Sequence, residues 1–233
     1  MASPRVDKVL RSPAYPFTEA AHYLQLPEST LRAWCLGSPA HAQGPRRFEP
    51  LIRMDDPSQR ALSFLNLIEV HVLAAIRRQH RVPLPTVRRA LDFLGQRLRA
   101  SRPLAELQFQ TDGVDLFVDR LGNLINASEQ GQTEMAELLR QRLQRIERNT
   151  QGLPVRLFPF ARADSSAEEV APVLIDPHVA FGRPVLVGRS VPTSVLADRF
   201  RAGDSCEAMA ADYGTTAQTI EAALRCELDG HAR

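Results

Sequence analysis

The sequence predicts a mainly α fold with a minor α+β part. Three observations predict it. Short helices separated by tight turns are legible near both ends of the 233-residue chain. Apolar stripes at helical spacing run through "FLNLIEVHVLAAIRRQH" (64–80), "RVPLPTVRRALDFLGQRL" (81–98) and "TEMAELLRQRLQRIERN" (133–149). Strand-length apolar runs such as "VLIDP" and "PVLVG" are short and few. The expected units are a winged helix-turn-helix over 15–99, a small strand-and-helix segment over 100–162, and a β-arm with a three-helix helix-turn-helix over 172–228.

"YPFTEAAHYLQLPESTLRAWCLG" (15–37) carries the first helix pair. Thr18 suits an N-cap, because its hydroxyl accepts an orphan backbone N–H, and the helix should end near Leu24. A turn through Gln25 and Leu26 follows, and Pro27 or Glu28 opens the second helix. Ala21 and Leu31, ten apart, stand where such a motif needs one small and one buried residue, and Trp34 shares Leu31's face. Ser29, Thr30, Arg32 and Ala33 then face outward, a surface able to read a groove.

"GPRRFEPLIRMDDPSQRALSF" (44–64) reads as a basic loop and a hairpin wing. Phe48–Arg53 is one strand, Asp55-Asp56-Pro57 the turn, and Arg60–Phe64 the return. Arg46 and Arg47 sit at its base, within reach of a phosphate backbone. Ser63 caps the helix bearing Leu65, Ile68, Val72, Leu73 and Ile76, and Val87, Ala90, Leu91 and Leu94 stripe the next.

The middle segment "LQFQTDGVDLFVDRLGNLINAS" (107–128) alternates and carries turn residues at 111–113 and 121–123, so a three-stranded meander is expected. The amphipathic helix after it presents Met135, Leu138, Leu139, Leu143 and Ile146 along one face. That seam could pack within one protomer or pair two. "LPVRLFPF" (153–160) adds a strand, and the polar "ARADSSAEEVAP" (161–172) is a linker.

"FGRPVLVG" (181–188) resembles a phosphate loop only in its glycines. No G-K-[ST] follows, no helix opens there, and no acidic residue stands at dinucleotide spacing. With "VLIDP" it reads as a strand arm in which Gly182 and Gly188 are bends. Three helices follow: one capped by Thr193, one opened by Asp204 with Glu207, one by Thr215 with Gln218. Ala210, Gly214 and Ile220 repeat the helix-turn-helix offsets.

Bulk properties bound the function. No apolar run reaches membrane-span length, the N-terminus lacks a signal peptide's apolar core, and a cytoplasmic protein is expected. The three cysteines are far apart and the six histidines form no ligand spacing, so neither disulfides, metal nor any other cofactor is expected. Nor do the residues pair a nucleophile with a base, and an enzyme is not expected. The net charge of +2 conceals +7 over residues 1–100 and −5 over 163–233. This asymmetry fits nucleic-acid contact at the front, or a solvated imbalance without function.

"FTEAAHYLQLPESTLRAW" with the helices of 62–94 resembles the MerR-like winged DNA-binding module. "IDPHVAFGRPVLVGRSVPTSVLADRFRAGDSCEAMAADYG" (175–214) resembles a small bacterial domain of unknown function common in antitoxins. Together they resemble the VapB-type antitoxins. Gln25, where the turn glycine is usual, and Pro27, where a Ser or Thr cap is usual, depart from the pattern. The resemblance implies an antitoxin of a type II toxin–antitoxin system that represses its own operator and neutralises a PIN-domain ribonuclease toxin. DNA contact then falls to Ser29, Thr30, Arg32, Arg46 and Arg47, and toxin contact to Phe181, Arg183 and Arg189. Alternatives stand beside these: Arg32 as a solvated helix residue, and Arg183 paired locally with Asp176. A homodimer is expected, since a two-fold operator takes two copies. The other reading is a MerR-like regulator sensing a small ligand through 101–162.

Overall fold

The structure, a computed structural model, describes residues 4–37, 49–80, 82–106, 109–160 and 172–228. Ten α-helices among them confirm the mainly α class, and the strands form only small antiparallel pairs. No described helix is long and apolar enough to cross a membrane.

The chain opens with α1 (Pro4–Arg11) and β1 (Tyr15–Pro16), followed by α2 (Phe17–Tyr23) and α3 (Glu28–Leu36). Pro16, not Thr18, is the N-cap of α2; the Thr18 hydroxyl instead donates to Glu28 at 3.0 Å. Gln25 takes the left-handed turn at φ 52°, and the N–H of Leu26 closes α2 on the Ala21 carbonyl at 2.9 Å. The return strand of the expected wing forms as β2 (Ala61–Leu62), but it pairs with β1, Tyr15 opposite Leu62. The expected hairpin partner over 49–53 is irregular instead, and Phe48 lies outside the described residues. Pro50 has no N–H for a ladder, and the N–H groups of Leu51 and Ile52 satisfy the Trp34 carbonyl, orphaned at the end of α3, at 2.7 and 3.0 Å.

Ser63 caps α4 (Phe64–His80) by accepting from the Asn66 N–H, and α5 (Leu84–Leu98) follows. The expected meander is a helix. A π-helical turn (Phe109–Gly113) leads into α6 (Val114–Ile125), and α7 (Glu129–Leu143) packs on it. Val114, Phe117, Val118 and Leu121 are buried at offsets of three, four and seven, a helical face that outweighs the turn-like glycines. Gly122 is no bend; it lies inside α6 against the Gln132 side chain of α7. The apolar seam of α7 packs against α4 and α6 of the same protomer. The helix stops at Leu143, and Ile146 belongs to β3 (Ile146–Arg148), paired with β4 (Pro154–Leu157).

The arm forms as expected: β5 (Val173–Leu174) pairs with β6 (Val185–Leu186). Then come α8 (Thr193–Arg201), α9 (Cys206–Tyr213) and α10 (Ala217–Leu228). The caps sit one residue from those expected: Ser205 accepts from the Ala208 N–H, and Thr216 from the Thr219 N–H. Among the described residues the buried apolar side chains form two clusters. The larger runs from Leu10 through α7 to Leu157 and Ile175, and the smaller joins Val173 and Leu186 to Leu196, Met209, Ile220 and Leu224.

Candidate nucleic-acid and partner interfaces

The first helix-turn-helix is set by its buried residues. Ala21, Leu31 and Trp34 lie in the core, so Ser29 is turned out to solvent while Thr30 and Arg32 are half-buried. Arg32 is held rather than loose. Its Nε donates to Glu28 at 2.6 Å, and its guanidinium lies 5.0 Å from the centre of the Phe17 ring. The bonds from Arg32 and Thr18 draw the Glu28 carboxyl below its usual range. Ser29, Thr30 and Arg32 therefore share the first turns of α3, whereas Arg46 and Arg47 lie outside the described residues. The chain re-enters at Glu49 and Pro50, whose carbonyls accept from the Arg88 guanidinium of α5.

Beneath this motif lies a buried polar network without any local sequence signal. Arg102 reaches Asp55 at 2.8 Å and Glu69 at 2.6 Å. Asn66 donates to the Arg53 carbonyl at 2.9 Å and to Glu69 at 3.1 Å. Burial pushes the Glu69 carboxyl up to about 7, against the opposing pull of Arg102 and Asn66. The network ties the segment after α3 to α4 and to the start of the middle segment.

The C-terminal candidates part company. Phe181 is 93% exposed. It stands in a 3₁₀ turn (Ala180–Gly182) whose three residues all have positive φ: 47°, 57° and 78°. Two of them are not glycine, a conformation that costs about 1 kcal/mol or more for each such residue. Arg183 is exposed, and its guanidinium has no hydrogen-bond or ion-pair partner among the described residues. The alternative pairing of Arg183 with Asp176 does not form, because that carboxylate accepts from Arg156 Nε at 3.1 Å and from the His178 N–H at 2.9 Å. Arg189, though exposed, is committed to its own chain. It donates to the carbonyls of Tyr213 at 2.7 Å and Gly214 at 2.5 Å, closing the C-terminal end of α9.

This loop meets the N-terminal module. Tyr15 is buried, its hydroxyl has no hydrogen-bond partner among the described residues, and it abuts Gly182. Burial, with Tyr23 and Asp176 nearby, drives the Tyr15 phenol far above its usual range. From the same side, Glu227 of α10 approaches His22 of α2 at 3.9 Å and accepts from the Thr193 hydroxyl at 2.6 Å.

Fold and site thus define a helix-turn-helix protein, and comparison with known proteins agrees. The family described as "Putative DNA-binding HTH domain" matches residues 13–91, and "Protein of unknown function (DUF433)" matches 173–225. The chain is 30% identical to "Putative antitoxin VapB45" of Mycobacterium tuberculosis, over 91% of this chain and 92% of that protein. It is 26% identical to the uncharacterized protein Rv2308 of the same organism, over 94% and 92%. The crystal structure of Rv2018 from M. tuberculosis superposes with a TM-score of 0.67 at 27% identity, covering 91% of this chain and 98% of that one. The chain belongs to the family of the antitoxin VapB45.

Proposed function

We propose that this antitoxin-family chain reads its own operator through α3 and neutralises a PIN-domain ribonuclease through the Phe181 loop. In this reading Ser29, Thr30 and Arg32 address base edges, while Arg46 and Arg47 grip phosphates. Arg32 suits the role because Glu28 engages its Nε, and among the described residues neither Nη group has a hydrogen-bond partner that would keep it from a guanine edge. A homodimer would present two such helices to a two-fold operator, and binding should weaken steeply with salt.

One observation carries the partner reading: an aromatic side chain 93% exposed on a left-handed turn, two residues from a guanidinium that makes no hydrogen bond or ion pair among the described residues. Phe181 would fill an apolar pocket, and Arg183 would pair bidentately with carboxylates of the toxin's metal site, excluding metal or RNA. Arg189, engaged with α9, supports the loop rather than the contact. The second reading, ligand sensing through 101–162, gains no support from that segment's core, where Phe109, Phe117, Leu121, Met135 and Leu139 are fully buried against neighbouring helices.

Coexpression with the product of the adjacent open reading frame tests the proposal. The wild-type chain should retain that product and silence its ribonuclease activity, and Arg183→Glu should release it. Undiminished neutralisation by Arg183→Glu would remove the assigned role.

A further inference from the structure

We propose that Tyr15 is the positioning residue of the Phe181 loop, so that the DNA-binding module shapes the surface offered to the protein partner. The inference rests on the reading of that loop as a partner contact. The two ends of the loop are fixed locally. Asp176 holds the start through the His178 N–H and Arg156, and the β5–β6 pair holds the end. Among the described residues the middle has only short-range backbone bonds: Gly182 N–H to the Val179 carbonyl at 2.9 Å and Arg183 N–H to the Ala180 carbonyl at 3.2 Å. Bonds of that span permit the turn but do not aim it.

What aims it is a wall. Gly182 is buried, and a Cβ built there would run into the Tyr15 hydroxyl oxygen and lie 3.0 Å from Cζ. Tyr15 is itself buried and packed: it is a β1 residue opposite Leu62, with its ring 6.4 Å from that of Phe64 in the larger core. Its hydroxyl makes no hydrogen bond among the described residues, so the contact is steric. Gly182 has two reasons to be glycine, φ of 78° and this close approach, and only the second depends on Tyr15. The direction in which Phe181 leaves the surface is therefore set from the opposite end of the sequence.

A cycle of Gly182→Ala, Tyr15→Phe and the double variant in the full chain separates the two. Because Phe181 is exposed, chymotrypsin can cut after it once the loop opens, and mass spectrometry reads the rate. Gly182→Ala should be cut about tenfold faster than wild type, with rates normalised to the denatured chains, and adding Tyr15→Phe should recover several-fold of that loss. Equal rates for Gly182→Ala and the double variant, or a wild-type rate for Gly182→Ala, would overturn the proposal. Should Gly182→Ala fail to fold, hydrogen exchange of wild type and Tyr15→Phe decides. The Gly182 and Arg183 amides should exchange several-fold faster in Tyr15→Phe while the Leu186 amide is unchanged, and identical exchange refutes the role. Retention of the coexpressed neighbouring product should fall in Gly182→Ala and return in the double variant. If even wild type retains nothing, the partner reading fails, while the cleavage and exchange results still judge Tyr15.

Discussion

Arg88 of α5 donates to the carbonyl of Pro50 at 3.1 Å, fastening the point where the chain leaves its basic segment. Arg88→Ala should leave thermal stability within about 0.5 kcal/mol, as for most surface changes, because the side chain anchors a segment rather than a core. Affinity for upstream DNA should nonetheless fall several-fold in an anisotropy titration. A large fall in melting temperature would show that the anchor serves the fold instead.

Arg183 and Arg189 should separate cleanly. Arg189→Ala removes two bonds to the carbonyls that close α9 and should cost about 1–2 kcal/mol in urea unfolding. Arg183→Ala, which removes no hydrogen bond or ion pair among the described residues, should be neutral in the same measurement and weaken only partner capture.

Gly214 caps α9 at φ 62°. A Cβ there would meet only Arg189, at an ordinary 3.7 Å, so Gly214→Ala isolates the conformational cost. About 1 kcal/mol of destabilisation is expected by calorimetry.

Glu69 gives stability a pH dependence of known sign. Its folded pKa of about 7 lies above the ordinary 4.5, so between these values the folded chain holds a proton that the unfolded chain has released. The stabilisation is full below 4.5, declines as pH rises, and is lost above 7, with a limiting slope of about 1.4 kcal/mol per pH unit. Urea titrations from pH 5 to 8 should show wild type losing stability relative to Glu69→Gln across that window. Parallel curves for the two proteins would contradict the shift.

Legibility in the sequence followed the range of the interactions. The turn at Gln25, the helices 64–80 and 84–98, and the arm with its three helices are local patterns, and they were readable. The wing is not legible because Leu62 finds its partner in Tyr15, 47 positions earlier, rather than in the adjacent strand-like residues. α6 is masked in the sequence because Gly113, Gly122 and Asn123 look like turns, although the spacing of Val114, Phe117, Val118 and Leu121 signals a helix. The Asp55–Glu69–Arg102 network left no trace, since its members are joined only by the fold. Among the candidate site residues, Ser29 is exposed as its outward placement predicts while Thr30 and Arg32 are half-buried, and neither the exposure of Phe181 nor the engagement of Arg189 with α9 is legible before the fold is known.

The short stretch at β5 has a last consequence. Val173 belongs to one apolar cluster and Ile175 to the other, while the backbone of Ile175 exchanges two hydrogen bonds with Leu157. A single extended segment thus acts as a rivet through both interiors. Neither half can melt without stripping the border of its neighbour, so heating should yield one calorimetric transition, and severing the halves there would leave each with a raw apolar stump.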